Sequence, residues 1–420
     1  MESALRPGRF IRYGESFSFV QELERVAQSI DRLVATDAMR GVPLYETFLA
    51  GCYEKSNEID DSSGSFGDFM QGLCCRWIRA RQTAGAPADD TVSTLLRWKD
   101  KDRYGYTYEL EGRAVEALDA PGRAAFAREA RSRFEEAGTE PASRREWAKA
   151  LREVYRAQKD ALSYVRLCRE VGTTPQDCVV LADLFDSYGE SERALSWARR
   201  GLSMGKPGAS RDYDLRRRET ALLRKLGRSE EALGVAWKDF SRSPHSGTYE
   251  ELMACAPESE RETWRGRAME RALTADLYSA VDLFLETGET EHLLARLDGA
   301  EETEVRALGH PLLQKAARRV EKSHPARAAR LYRSLGLRIV DEAKSKYYRF
   351  AIAHLARARK CYERAGLLPE WEETVLQVKK RHRLKSSFMP GFENLVKGVA
   401  PERSSFLDRA RRRFREAPED

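Results

Sequence analysis

The 420-residue sequence contains no apolar run long enough to cross a membrane, since a spanning helix needs about 20 consecutive apolar residues. Even the apolar stretch 178–185 is interrupted by Asp183. The first ten residues lack the apolar core of a secretory signal, so we expect a cytoplasmic protein. The seven cysteines are odd in number and widely separated, which is typical of reduced thiols rather than of a disulfide scaffold.

Sequence patterns for metal and phosphate binding are also missing. The six histidines and seven cysteines show neither His-x-x-x-His nor Cys-x-x-Cys spacing, so we predict no metal site and no cofactor. Residues 201–205 match a nucleophile elbow, but that motif needs a strand before the serine, and here the preceding sequence is helical. Lys206 does not belong to a phosphate loop, because Pro207 replaces the metal-binding hydroxyl. No pair of carboxylates stands out for acid–base chemistry, so the sequence predicts a non-enzymatic protein.

Neither sign of charge dominates the chain. The 73 basic and 67 acidic residues leave a formal net charge of +6, and charged residues make up 33% of the sequence, above the roughly 25% that is usual. Such an excess is typical of exposed helix faces that carry opposite charges three or four residues apart. The balance allows a local nucleic-acid patch but does not predict one that covers the whole surface.

A repeated helical hairpin between residues 147 and 240 is the main positive signal. Paired Ala-Leu steps occur at 161/162, 194/195 and 232/233, with spacings of 33 and 38 residues, and glycines at 189 and 227 precede the second and third steps. A period in this range is typical of tetratricopeptide arrays. The glycine ends the first helix in a left-handed cap, and the small alanine lets the second helix approach closely. The sequence therefore predicts an all-α, tetratricopeptide-like helical-hairpin solenoid.

The rest of the chain also shows helical periodicity. We predict an N-terminal helical region over 1–138, the repeat array over 139–387, and a basic tail over 388–420 with a short amphipathic helix within 402–416. Helix starts are predicted at Ser18, from the capping box Ser18-x-x-Gln21, at Pro43, and at Thr174-Pro175. The only strand-like stretches, 178–181 and 337–340, lie inside helical periodicity.

Two sequence blocks resemble a set of uncharacterised bacterial all-helical proteins. The first block comprises Cys52-Tyr53-Glu54-Lys55, Ile59 to Gly67, and Trp77 to Gln82; the second comprises His324-Pro325-Ala326, Leu331-Tyr332-Arg333, Ala356 to Gly366, Trp371, and Arg381-His382-Arg383. Similar C-terminal helices follow SWIM-type zinc fingers in some bacterial proteins. Such a finger needs Cys-x-Cys and Cys-x-His, and the sequence has neither, so the resemblance implies no zinc role and no settled activity.

Stacked hairpins leave a concave surface that binds an extended peptide or a helix of a partner. We expect inner-helix residues to line it, namely Tyr155, Tyr188, Arg218 and Tyr332. The loop that contains Asp60, Asp61 and Ser62 has two interpretations: it caps the helix that begins near Phe66, or it contacts a partner. A calcium loop does not fit, because Ile59 and Met70 occupy positions that need carboxylates.

Two basic clusters near the C-terminus support an alternative function. They contain Lys379, Lys380, Arg381, Arg383 and Lys385 in the first cluster and Arg411, Arg412 and Arg413 in the second. The clusters have three interpretations. They bind phosphates, they form a solvent-exposed helix end that the helix dipole favours, or they dock as a basic tail on acidic helices. Nearby aromatics, Phe388, Phe392 and Phe414, are interpreted as anchors. The sequence thus predicts an adaptor that binds a protein partner, with a nucleic-acid-associated accessory protein as the alternative. An enzyme with a site between the N-terminal helices and the array is a third hypothesis.

Overall fold

The computed structural model describes residues 5–108, 110–138, 140–204 and 210–399. The chain separates into two compact units, Met1–Leu226 and Gly227–Asp420. The predicted boundaries at 138/139 and 387/388 follow sequence pattern rather than compactness and stay predictions. The predicted helix within 402–416 lies outside the described residues.

The first unit contains eleven α-helices among its described residues: α1 Tyr13–Val34, α2 Ala38–Lys55, α3 Ser65–Thr83, α4 Ala88–Asp100, α5 Leu110–Ala117, α6 Ala120–Glu136, α7 Pro141–Ala157, α8 Ala161–Val171, α9 Pro175–Ser187, α10 Ser191–Met204 and α11 Ser210–Lys225. A 3-10 turn at Ser56–Glu58 follows α2. Next to it, Ile11 and Ile59 form an isolated parallel bridge.

The second unit contains a further eleven α-helices among its described residues: α12 Ser229–Arg242, α13 Ser246–Cys255, α14 Arg261–Ala272, α15 Leu277–Thr287, α16 Thr290–Asp298, α17 Glu302–Ala307, α18 His310–Val320, α19 Pro325–Asp341, α20 Tyr348–Ala365, α21 Leu368–His382 and α22 Met389–Val396. Two 3-10 turns, Glu258–Glu260 and Ser345–Tyr347, precede α14 and α20. The described residues contain no strand, and 178–181 and 337–340 are helical, so the predicted all-α, tetratricopeptide-like class is confirmed.

The local signals for helix starts gave mixed results. Thr174 caps α9 as predicted: its hydroxyl accepts the backbone N–H of Asp177, whose carboxylate accepts the N–H of Thr174. The predicted start at Ser18 is wrong, because α1 begins five residues earlier, at Tyr13. The start at Pro43 is also wrong, because Asp37 caps α2 ahead of it and leaves the proline inside the helix.

Asp177 also ties three helices of the first unit together. Its buried carboxylate accepts hydrogen bonds from Arg152 Nε of α7 at 2.7 Å and from the Tyr164 hydroxyl of α8 at 3.0 Å. Burial works against the charged form, but the hydrogen bonds from Arg152 and Thr174 outweigh it and hold the pKa of Asp177 below its usual range. A single buried carboxylate therefore fixes α9 against the preceding hairpin.

Small residues lie where the repeat helices cross. Ala194 and Ala198 of α10 are fully buried, as the repeat pattern predicts. A Cβ at Gly201 would lie 2.8 Å from Cys178 Cβ of α9 and 2.8 Å from Leu215 Cδ1 of α11. Because real Cβ atoms do not approach so closely, the position accepts only glycine without movement of a neighbouring helix.

The predicted glycine cap after α9 is confirmed. Gly189 has φ 79°, its N–H bonds to the carbonyl of Asp186, and the N–H of Glu190 bonds to the carbonyl of Phe185 at 2.9 Å. This pair of bonds is the Schellman arrangement, in which a left-handed residue satisfies the last free carbonyls of a helix. It turns the chain directly into α10.

The second unit is built around an equally close contact between α19 and α20. A Cβ at Gly336 would lie 2.7 Å from Leu355 Cγ and 3.1 Å from the carbonyl oxygen of Ala351. Phe388 and Phe392 are fully buried, which agrees with their interpretation as anchors. The first part of the predicted tail forms α22, so the helical fold continues beyond residue 388.

Two histidines meet inside this unit. The Nε2 atoms of His310 in α18 and His354 in α20 are 3.0 Å apart, and the His354 ring stacks on Tyr332 at 6.2 Å between centroids. Burial, the neighbouring His310, and the charges of Arg357 and Arg318 lower the pKa of His354 to about 4. Burial also lowers the pKa of His310, with a further contribution from Arg338. Both rings are therefore neutral at pH 7.

We expect Gly336→Ala to destabilise the protein by about 1–3 kcal/mol, because the new methyl group overpacks the contact with α20. The matched control is Gly266→Ala in α14, where a Cβ meets nothing within 4 Å. That change removes an exposed helical glycine and should stabilise by about 0.5–1 kcal/mol. Urea denaturation measures both changes, and equal effects of the two substitutions would contradict the close packing at Gly336.

We also expect stability to fall on acidification between about pH 6.5 and 4. A histidine whose pKa is lowered by folding binds fewer protons in the native state than in the unfolded state, so stability is lost as the pH falls through 6.5. For His354 the loss approaches roughly 3 kcal/mol near pH 4. His354→Phe keeps an aromatic ring on Tyr332 and should flatten the pH dependence of unfolding. An unchanged profile would show that the buried imidazole does not titrate in this window.

Candidate functional site

An apolar pocket opens within the first unit, where α2, α3 and α4 meet the loop 101–108. Its volume is about 280 Å³. The pocket is lined by Glu46, Leu49, Ala50 and Tyr53 of α2, Met70 and Cys74 of α3, Trp98 of α4, and Lys101, Asp102, Tyr106 and Thr107 of the loop. We call it the N-terminal pocket. Most of its wall is aliphatic and aromatic, so it suits an apolar group.

The helices place the pocket residues by ordinary helical periodicity. Leu49 of α2 and Met70 of α3 are buried on the core sides of their helices, whereas Ala50 is exposed at the mouth. The indole of Trp98 lies 4.4 Å from that of the fully buried Trp77, which holds it against the core. Burial raises the pKa of the Cys74 thiol to about 12, so this thiol is protonated and behaves as an apolar wall.

The carboxylate of Asp102 organises the loop that closes one side of the pocket. Its Oδ1 accepts the N–H groups of Tyr104 and Gly105 at 3.0 and 3.1 Å, and its Oδ2 accepts the N–H and hydroxyl of Thr107 at 2.7 and 2.8 Å. Gly105 has φ 77°, a conformation that side chains disfavour. The loop is therefore held in one shape by a single side chain.

Tyr53 attaches the same loop to α2. Its hydroxyl donates to the carbonyl of Lys101 at 3.1 Å and accepts the N–H of Arg103 at 2.7 Å. The rings of Tyr53 and Tyr104 meet edge-to-face at 5.1 Å. The ammonium group of Lys101 lies exposed at the rim and has no carboxylate partner among the described residues.

A polar cleft lies on the other side of the loop, between α4 and the start of α7. Lys99 binds Glu111 at 2.7 Å and Glu146 at 2.8 Å. Burial disfavours its charge, but the hydrogen bonds to these two carboxylates outweigh burial and raise the pKa of Lys99. Arg133 binds Asp100 at 2.8 Å and lies over the Trp147 ring at 5.0 Å. These charges are paired within the protein, so they connect neighbouring helices rather than offer a binding site.

The loop with Asp60, Asp61 and Ser62 caps α3. Asp61 Oδ1 and Oδ2 accept the N–H groups of Phe66 and Gly67, each at 2.9 Å. Asp60 binds the backbone and hydroxyl of Ser62, and these hydrogen bonds lower the pKa of Asp60. The capping interpretation is therefore correct, while a partner contact stays a prediction.

The predicted inner-helix residues differ in exposure. Tyr188 is half exposed at the end of α9, and Tyr155 is half buried in α7. Arg218 of α11 is bound to Asp183 of α9 through two hydrogen bonds of 2.6 and 2.9 Å. Tyr332 is fully buried, with its hydroxyl donating to Glu321 at 2.7 Å, so it belongs to the core rather than to a binding surface.

The first basic cluster is partly used for packing. Arg381 and His382 approach Asp341 at 3.4 and 3.3 Å, and Lys385 Nζ donates to the carbonyl of Val340 at the end of α19. A cation at this carboxyl end is favoured by the helix dipole. Lys379, Lys380 and Arg383 are exposed. Arg411, Arg412 and Arg413 lie outside the described residues.

The sequence pattern did not predict the N-terminal pocket. The one local signal for it is the loop, where Asp102 and Thr107 on either side of Gly105 are typical of a turn organised by side chains. The seven cysteines are free, and none of the described helices is both long and apolar enough to cross a membrane. The described residues also contain no group of three or more potential metal ligands.

Three solved structures are similar to this chain at low sequence identity. Naa15/Naa10 bound to HypK-THB is similar at 12% identity and a TM-score of 0.35, over 86% of this chain and 63% of that one. The human IFIT1 dimer with m7Gppp-AAAA is similar at 14% identity and a TM-score of 0.24, over 92% and 99% of the two chains. The TPR domain of P58(IPK) is similar at 12% identity and a TM-score of 0.19, over 91% and 99%.

The sequence matches no curated protein. A family model does match, over residues 123–390, which is more than half of the chain. That stretch runs from α6 in the first unit to the start of α22 in the second and includes the anchoring residue Phe388, whereas the residues that line the N-terminal pocket precede it. The chain belongs to DUF6880, a family of unknown function.

Proposed function

We propose that the protein is a non-enzymatic adaptor that binds a partner protein and takes an apolar side chain of that partner into the N-terminal pocket. The observation that carries the proposal is the pocket itself. Its volume of about 280 Å³ lies just below the roughly 300–1,000 Å³ typical of small-molecule sites. A cavity of this size suits one large apolar side chain, and such buried anchors supply most of the energy of protein interfaces.

The rim of the pocket supports a peptide ligand. The exposed Lys101 ammonium offers a charge to a carboxylate or a carbonyl beside the anchor. The loop 101–108 is already fixed by Asp102 and Tyr53, so binding does not require it to become ordered. A preformed wall avoids the entropy cost that weakens many interfaces.

The polar groups around the pocket support binding rather than catalysis. Glu46 accepts a hydrogen bond from Trp77 Nε1 at 3.1 Å and lies 3.7 Å from Arg81, so its charge is already compensated. Asp102 is saturated by the loop, and Cys74 is protonated at neutral pH. None of these groups is poised as a nucleophile or a general base.

The half-exposed Tyr188, which the sequence analysis expects to line a binding surface, offers a second, polar contact in the same unit. A bacterial cytoplasm as the site of action belongs to this proposal too, and rests on the resemblance of the sequence blocks and on the free thiols.

We expect Ala50→Leu to weaken partner binding, because the added side chain fills the mouth of the pocket without removing a core contact. The measurement is the affinity, by calorimetry, for a peptide selected on the wild-type chain from a displayed random library. The affinity should fall at least about tenfold, or about 1.4 kcal/mol. Selected peptides should share a large apolar residue.

Ala221→Leu is the matched control, since Ala221 is an exposed helical alanine of α11 that does not line the pocket. This variant should bind the peptide as the wild type does. Peptides that bind Ala50→Leu with unchanged affinity, or a library that yields no binder, would refute the proposed role of the pocket.

A further inference from the structure

A second surface of different chemistry lies in the second unit, formed by residues 344–350 and 379–385. We call it the basic–aromatic surface. Its exposed cations are Lys344, Lys346, Arg349, Lys379, Lys380, Arg381 and Arg383. Two aromatic rings stand among them, with Tyr347 42% and Phe350 44% exposed. The fold brings the segment 344–350 to the basic cluster 379–385.

Contacts at the end of α19 bring the two segments together. Asp341, the last residue of α19, lies 3.4 Å from Arg381 and 3.3 Å from His382 of α21. Lys385 Nζ donates to the carbonyl of the preceding residue, Val340. The chain leaves Asp341 directly into 344–350, so both segments lie at this one end of the unit.

The positive charge of this surface is largely uncompensated. Asp341 is shared among Arg381, His382 and Arg306, and Glu342 is bound by Lys344 and Arg338, each at 3.1 Å. Within the described part of the chain, no carboxylate pairs with the remaining five cations, which are Lys346, Arg349, Lys379, Lys380 and Arg383.

The two rings are neighbours, tilted by 42° to each other, and each has a cation over it. The centroids of Tyr347 and Phe350 are 6.4 Å apart. Lys346 Nζ lies 4.9 Å from the Tyr347 ring, and the Arg349 guanidinium lies 4.6 Å from the Phe350 ring. A planar base stacks on an exposed ring, and an adjacent cation meets the phosphate that follows it.

We propose that the basic–aromatic surface binds single-stranded nucleic acid. Unpaired bases stack on Tyr347 and Phe350, and Lys346, Arg349 and the exposed cations of α21 neutralise the backbone. A duplex fits less well, because its paired bases do not present free faces to the rings. The inference is independent of the N-terminal pocket, which lies in the other unit.

The test measures the fluorescence anisotropy of labelled uridine and thymidine oligonucleotides with the full chain, at about 50 and 200 mM salt. The double variant Lys346→Gln with Arg349→Gln should weaken binding at least about tenfold. It should also reduce the slope of log affinity against log salt by about 1.4, because two phosphate contacts are lost and each contributes about 0.7. Tyr347→Ala with Phe350→Ala should weaken binding about tenfold with an unchanged slope, since stacking releases no counterions.

Two control variants define the specificity of these effects. Lys322→Gln with Lys360→Gln removes the same charge from exposed positions of the same unit and should leave the affinity unchanged. Tyr347→Phe with Phe350→Tyr keeps both rings and should bind as the wild type does. Circular dichroism checks that each variant is folded, which we expect because the substituted side chains are exposed.

Several outcomes would overturn the proposal. These are absence of oligonucleotide binding at about 50 mM salt, equal affinity in all variants, or tighter binding of a duplex than of a single strand. A loss of binding that occurs only in the triple variant Arg411→Gln, Arg412→Gln and Arg413→Gln would assign nucleic-acid binding to the C-terminal tail instead. Association only with phosphatidylserine vesicles would identify the surface as a membrane contact.

Discussion

Close approach between neighbouring helices is the constraint on which both units depend. Gly201 lies between α9 and α11, and Gly336 lies against α20, each at a distance that leaves no room for a Cβ. Where a glycine of one helix fits tightly against side chains of the next, the helices cannot shift without losing those contacts, because packed interiors are dense. Buried polar groups then fix the arrangement further, as Asp177 does by joining α7, α8 and α9. Side chains on the outside of these helices are consequently held in fixed positions, which is what a recognition surface requires.

The N-terminal pocket shows how a loop acquires the same rigidity without helix packing. Asp102 uses both carboxylate oxygens on the backbone and hydroxyl groups of its own loop, and Tyr53 fastens that loop to α2. These bonds satisfy backbone groups that would otherwise need water, so the loop can stand beside an apolar cavity. The neighbouring cleft has the opposite character, since its charges neutralise one another. Asp102 and Thr107 line both cavities. The pocket offers a ligand an apolar wall, whereas the cleft offers charges that are already paired.

Local signals in the sequence predicted the helical hairpins. Contacts between residues that are far apart in the sequence could not be predicted. The repeat of glycine and alanine predicted the hairpins because each Schellman cap and helix crossing is encoded within about one repeat, as at Gly189 and Ala194. The start at Pro43 failed because Asp37 offers a better cap, and local pattern alone does not rank competing caps. The pocket brings together residues from 46 to 107, and the basic–aromatic surface joins 344–350 to 379–385 through Asp341. Such pairings depend on tertiary packing, which no short-range pattern contains.

The two surfaces differ in the physics of the binding that each supports. An apolar side chain entering a preformed pocket gains its energy from the loss of contact with water, and it responds little to salt. A phosphate backbone bound by exposed cations gains energy from released counterions, and its affinity falls steeply as salt rises. Because these two sources of energy respond differently to salt, salt dependence distinguishes the two proposed kinds of binding. The hairpin scaffold contributes to neither energy directly. It holds Tyr347 and Phe350 beside the close contact between α19 and α20, whereas Lys101 is held by the loop that Asp102 and Tyr53 fasten to α2.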